Sequence, residues 1–282
     1  MLIALCNEVL AGMSFERQCE FAAATGYDGL ELAPFTLSGA SHTLESLDSA
    51  RIRTVVESNG LVVTSLHWLL VMPEGLSLTD PNLTIRKKTL AVISRLTSLC
   101  AELGGRVLVH GSPKQRQIAV GESRETAIGR LSEGLAYAAE CAARNGVVYC
   151  IEPLSRCETE VINTVSEAAE LVRDIGLPSL RTMIDCSAAG LTENQTVADL
   201  IRQWMPTGLI AHIQVNDRNR LAPGQGEDLF GPILRALRDS GYQGALAVEP
   251  FKYIPDGPAC AARSIGYLRG LLEYIDLSAG RN

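Results

Sequence analysis

Several deficits bound this chain before any motif is read. Among 282 residues there are four histidines and 5% aromatics, and 25 basic residues face 32 acidic ones, a net charge of −7. A pI near 5.2 argues against DNA and RNA as partners, since nucleic-acid binders normally carry a basic face, though it leaves room for a local basic pocket. No apolar run approaches the ~20 residues that span a bilayer. The start, "MLIALCNEVLAGMS", has no positively charged segment and is interrupted by Asn7 and Glu8, so it does not read as a signal peptide. The eight cysteines form no CxxC pair, which removes the zinc-knuckle and redox motifs. These absences predict a cytoplasmic protein with reduced thiols and no membrane association.

The 46% hydrophobic content is ample for a core. Short apolar runs, rich in Val, Ile and Leu, recur along the chain: 2–6, 29–33, 61–67, 106–110, 147–152, 180–185, 209–215 and 245–250. Such runs read as strands buried on both faces. Amphipathic stretches lie between them, including Ser14 to Thr25, Thr43 to Asn59, Leu83 to Leu103 and Arg124 to Asn145. Several end in the same way, with a glycine and then a strand, as in "ATGYDG" and "DSGYQG". Strict alternation implies parallel βαβ units, and eight of them suit a closed (β/α)₈ TIM barrel of the α/β class. "CNEVLAG" after the first run lacks the GxGxxG turn that an open dinucleotide-binding sheet would carry. With no linker or low-complexity tract, residues 1–282 are expected to form one barrel domain.

Active sites of such barrels lie at the C-terminal ends of the strands. Read there, the runs end in Glu31, His67 and Trp68, His110, Glu152, Asp185, Gln214 with Asn216, and Glu249. Carboxylates are rarely buried without a partner or a metal. Glu152, Asp185 and Glu249 close neighbouring strands and would repel one another unless a divalent cation joined them. An oxygen-only set of these three and the Gln214 amide suits Mn²⁺ best, with Mg²⁺ or Co²⁺ as alternatives, rather than Zn²⁺. In "LIAHIQVNDRNR", His212, Gln214 and Asn216 share one strand face. His212, one pleat deeper than Gln214, is expected to hold a ligand carboxylate in place. His67, His110 and Trp68 are candidate substrate contacts, while Lys114 and Arg116 read as a solvated loop.

The setting of these residues, "IEPLSRCE", "MIDCSAAGLTE", "AHIQVNDRNRLAPGQGE" and "LAVEPF", resembles the xylose-isomerase-like TIM-barrel superfamily. Within it, the similarity is to the sugar isomerase and epimerase branch, which includes ketose 3-epimerases and hydroxypyruvate isomerase. The resemblance implies a metal site of Glu152, Asp185, Gln214 and Glu249. Gln214 stands where the epimerases carry His and where hydroxypyruvate isomerase has "HIQ". It further implies that Glu152 and Glu249 are the catalytic acid/base pair and that Glu158 and Arg220 bind substrate. Ala188 departs from the epimerases, which carry a substrate-binding His there. Endonuclease IV shares the fold but uses more His ligands and several zinc ions, which four histidines do not supply.

The function so implied is a metal-dependent isomerase or epimerase of a small sugar or keto acid. It would remove a proton beside a carbonyl and pass through a metal-stabilised enediolate. A lyase or dehydratase acting on a keto-sugar, inosose or 3-keto-glycoside is the competing reading, kept open by Ala188, and a non-catalytic binding barrel is a third. Relatives of this branch assemble as dimers or tetramers, so a homodimer or homotetramer is implied as well.

Overall fold

All eight apolar runs fold as strands: β1 (Leu2–Cys6), β2 (Gly29–Leu32), β3 (Val62–Leu66), β4 (Val107–His110), β5 (Val148–Ile151), β6 (Leu180–Asp185), β7 (Ile210–Val215) and β8 (Ala245–Val248). They are parallel and pair in sequence order, and β1 closes on β8 through Leu2↔Ala245 to Leu5↔Val248. The computed structural model describes residues 1–37 and 46–279.

The principal helices sit where the amphipathic stretches predict them: α1 (Phe15–Thr25), α3 (Ser46–Ser58), α4 (Leu83–Glu102), α5 (Arg124–Asn145), α6 (Val165–Ile175), α8 (Val197–Trp204), α9 (Phe230–Asp239) and α10 (Gly257–Ala279). The expected start of α3 at Thr43 lies outside the described residues. Capping accounts for several boundaries. The Ser14 hydroxyl accepts the Arg17 N–H, and Gly26, at φ +98°, ends α1 in the left-handed region that favours glycine. The chain then turns directly into β2, with the Tyr27 N–H donating back to the Ala22 carbonyl. Two short helices were not expected from the sequence, α2 (Pro34–Leu37) and α7 (Cys186–Thr192). The second begins on the last residue of a strand's cap: the Asp185 carboxylate accepts the Ala188 N–H at 2.7 Å.

Apolar packing divides between the two sides of the strands. Tyr149, Ile151, Ile184 and Ile213 join the large core beneath the helices. Val109, Cys150 and Met183 make a small cluster of their own. Adjacent strand residues point to opposite faces, so the second group lies on the barrel interior, as does Glu152, two residues past Cys150. The long segments after β3 and β4 fold over the mouth together, with the Leu78 N–H donating to the Gln115 carbonyl at 2.9 Å and the Thr79 hydroxyl to Gln117.

Candidate active site at the mouth of the barrel

Strand register sets two of the expected residues side by side and staggers the others: Gln214 pairs with Ala247, two residues before Glu249, and Ile151 pairs with Thr182, three residues before Asp185. Asp185 on β6 is the register partner of Gln214 on β7, and the Glu249 N–H donates to the Val215 carbonyl at 3.3 Å. On the other side, the Glu152 N–H donates to the His110 carbonyl at 3.2 Å. His67, Trp68, Glu152, Glu158, Glu249 and Phe251 line a single narrow cavity. Glu152, Asp185, Gln214 and Glu249 are all buried.

Burial dominates the proton affinity of the acids. It raises Glu152 well above the usual carboxylate range, with Glu249 and Asp185 adding repulsion and Arg116 opposing it. Asp185 is pushed up to about 6 by burial, although the Ala188 N–H and the Asn216 amide draw it down. Glu249 is pushed up to about 8 by burial, against the lowering effect of His67. Asn216 ties two of these acids: its Nδ2 donates to Asp185 Oδ2 at 2.7 Å and to the Glu249 carbonyl at 2.9 Å. Glu152 rests on Gly111, where any Cβ would lie 1.8 Å from its Oε2. A methyl group at this position would have to push the Glu152 carboxylate aside.

His67 is wedged between two carboxylates. Its Nδ1 is 2.9 Å from Glu249 Oε1 and its Nε2 is 2.9 Å from Glu8 Oε2. Burial disfavours the charged ring, but Glu8 and Glu249 prevail and raise its pKa well above the ordinary value. With Cys6, these residues form a set whose candidate ligand atoms lie within 4.8 Å of one another. That set shares only Glu249 with the sequence expectation. Both His67 nitrogens are already engaged, and burial raises the Cys6 thiol well above its usual value, keeping it protonated. The chemistry of the set is that of a carboxylate–imidazole–carboxylate chain rather than of a soft metal centre.

Gln214 and His212 both reach across the barrel to Glu31. Gln214 Nε2 donates to Glu31 Oε1 at 2.7 Å, and His212 Nε2 lies 2.6 Å from Glu31 Oε2. The Ser65 hydroxyl also donates to Oε2. Burial alone would raise Glu31, yet His212, His67 and Ser65 hold it below the usual carboxylate range. His212 thus meets an acid outside the expected ligand set, whereas the Asp185 carboxylate is held by Asn216 and the Glu249 carboxylate by His67.

Glu158 and Arg220 stand together at the rim, 3.5 Å apart, with the guanidinium 4.5 Å over the Phe251 ring. Trp68 and Arg220 adopt φ of +50° and +70°. Bulky residues enter this region at a cost of about 1–3 kcal/mol, a kind of strain that gathers at functional sites. His110 does not join them. Its Nδ1 pairs with the Tyr149 hydroxyl at 2.9 Å, on the helix-facing side, and burial with the nearby Arg116 pushes its pKa down to about 3. Arg116 corrects the expectation of a solvated loop: it is completely buried. None of its guanidinium nitrogens has a hydrogen-bond partner among the described residues. Burial lowers its pKa to about 10, while Glu152 and Glu158 favour its charge.

The residues at the mouth fit a hard divalent cation. Three buried acids, none with a cationic hydrogen-bond partner among the described residues except Glu249 with His67, stand beside an amide. Two fully buried oxygens among them, Gln214 Oε1 and Glu249 Oε2, have no hydrogen-bond partner among the described residues. Buried acceptors of this kind are seldom left unmatched. Sequence reasoning missed the parts played by Glu31, Asn216 and Gly111. The polar alternation of β7 could have pointed to Asn216; nothing local announces the other two.

Comparison with known proteins follows the same line. The sequence profile of the family described as Xylose isomerase-like TIM barrel matches residues 19–271. The chain is 30% identical to the D-psicose 3-epimerase of Agrobacterium fabrum over 238 residues, 82% of this chain and 78% of that protein. It is 30% identical to the putative hydroxypyruvate isomerase of Xenopus laevis over 172 residues, 57% of this chain and 56% of that protein. A crystal structure of D-psicose 3-epimerase in the presence of D-fructose superposes with a TM-score of 0.83 at 24% identity, covering 96% of this chain and 99% of that one, a likeness of fold.

Proposed function

The chain belongs to the xylose isomerase-like TIM-barrel family, and on that premise we propose that it is a divalent-metal-dependent epimerase or isomerase of a small ketose or keto acid. One observation carries this reading. Glu152 and Glu249 face the same cavity from different strands, and burial raises the proton affinity of both. A group that must take and return protons near neutral pH works best with a pKa near that pH.

The cation would be held by Glu152, Asp185, Glu249 and the side-chain oxygen of Gln214, and Mn²⁺ suits this set. When bound, it would supply positive charge beside the substrate carbonyl and so make the neighbouring C–H bond more acidic. Of the two carboxylates, one removes that proton and the other delivers a proton. Delivery to the opposite face of the same carbon gives the epimer; delivery to the neighbouring carbon exchanges ketose and aldose. Glu158 and Arg220 bind substrate oxygens at the rim, and Trp68 gives an apolar wall. His67 acts on the reaction through Glu249. Eight free cysteines suit a reducing compartment, and a homodimer or homotetramer remains the expected assembly.

Proton NMR of the Mn²⁺-loaded protein, with ketoses and hydroxypyruvate in D₂O, tests the reading after the metal is removed from each sample by chelation. Deuterium entering the carbon beside the carbonyl, without loss of water, supports it. An enone or a released aglycone would instead identify a lyase on the same site.

A further inference from the structure

Gln214 is an amide, and an amide can present either of two nearly identical ends. We infer that Glu31 is a positioning residue that decides which end faces the mouth of the barrel. The inference rests on the metal reading above and names a residue which that reading does not use.

A carboxylate only accepts hydrogen bonds. The Gln214 atom 2.7 Å from Glu31 Oε1 is therefore the N–H end, and the opposite orientation would set oxygen against oxygen. Glu31 cannot turn to accommodate it. Its Oε2 accepts the Ser65 hydroxyl and lies 2.6 Å from His212 Nε2, a close polar contact outside hydrogen-bond alignment, and the Cys6 thiol donates to Oε1 at 3.4 Å. The anchors come from β1, β3 and β7, so closing the barrel assembles the clamp. Gln214 is equally constrained, being paired with Asp185 on one side and Ala247 on the other. As a result Oε1, fully buried and without a hydrogen-bond partner among the described residues, is the end left to act as a ligand. A negative charge on the N–H end also draws electron density toward Oε1 and makes it a stronger donor to a hard cation. Glu31 thus does for a neutral amide ligand what a carboxylate does for a ligating imidazole.

Calorimetric titration of metal-stripped protein with Mn²⁺ tests this. Glu31→Gln, which can meet Gln214 with either end, should weaken Mn²⁺ binding by about 10- to 100-fold. Affinity unchanged within threefold in the folded variant overturns the inference. A wild-type protein that takes up no Mn²⁺ sinks the metal reading itself, a separate failure. A second measurement needs no substitution at Glu31. In wild-type protein labelled with ¹³C,¹⁵N-glutamine, with Gln214 assigned through Gln214→Leu, the Nε2 hydrogens should exchange slowly and the Cδ resonance should move on Mg²⁺ binding. Fast exchange, or a Cδ unmoved when Mg²⁺ is bound, overturns the inference even where Glu31→Gln does not fold.

Discussion

His67 Nδ1 and Glu249 Oε1 stand 2.9 Å apart in a buried contact, and the other ring nitrogen meets Glu8. Burial opposes a charged ring, but Glu8 and the hydrogen bonds to Glu249 and Glu8 raise its pKa well above the ordinary value, so it is held as an imidazolium that donates from both nitrogens. Its hydrogen bond, and then its charge, hold Glu249 down to about 8 against burial. His67→Phe removes that charge and leaves Glu249 facing Glu8. The acid limb of the kcat/KM profile should then move up by about one pH unit or more, since one unit reflects only ~1.4 kcal/mol of lost interaction. An unmoved limb would mean that Glu249 does not limit the reaction.

The bare backbone at Gly111 makes a second prediction. An added Cβ would sit 1.8 Å from Glu152 Oε2, so Gly111→Ala must push the carboxylate aside. Displacing a reacting group by about 1 Å costs roughly 10²-fold in rate. Turnover should fall by that order while the far-UV circular dichroism spectrum stays unchanged. Activity within threefold of wild type would show that Glu152 is not placed by this contact.

How far the sequence revealed this site depends on the range of the interaction. Strand identity and the acids at strand ends were legible because period-two patterning and strand termini are local features. Asn216 was half visible, since it shares a strand face with His212 and Gln214, but its grip on Asp185 depends on register. Glu31 reads in the sequence only as a strand end. Its partners lie on the first, third and seventh strands, and Gln214 is 183 residues away, so its role exists only once the barrel closes. His110 was misleading for the opposite reason: a histidine at a strand end looks site-directed, yet one residue of alternation turns it toward Tyr149 and the helices. The burial of Arg116 follows from two loops packing on each other, which no local pattern encodes.

Stability should depend on pH with a definite sign. Asp185 and Glu249 have folded pKa values of about 6 and about 8, above their ordinary 3.8 and 4.5. Between those limits the folded chain binds more protons than the unfolded one, so stability is fully present at the acid end and lost as pH rises to about 8. His67, also raised, contributes in the same direction above its ordinary 6.5. Glu31, held low, acts oppositely below its ordinary 4.5, and His110, pushed down to about 3, acts oppositely below its ordinary 6.5, which offsets only the acid end of the range. Metal-stripped protein should melt at a higher temperature near pH 5.5 than near pH 8.5, by roughly 2–4 °C for each kcal/mol. Mn²⁺ should restore more at the higher pH, because its ligands must first lose their protons. Differential scanning fluorimetry reads both effects, and a melting temperature that climbs with pH in the stripped protein would contradict the buried, uncompensated acids.

Elemental analysis of the purified protein and of Asp185→Asn tests the central claim most directly. An asparagine can still cap the helix that Asp185 begins, so the fold is kept while the charge is lost. Wild type should hold about one divalent ion per chain, as should Arg220→Ala with its KM raised roughly 10- to 100-fold, the loss of a charge-assisted contact. Asp185→Asn should hold no ion and show no turnover. An ion retained at full stoichiometry in Asp185→Asn would contradict the account.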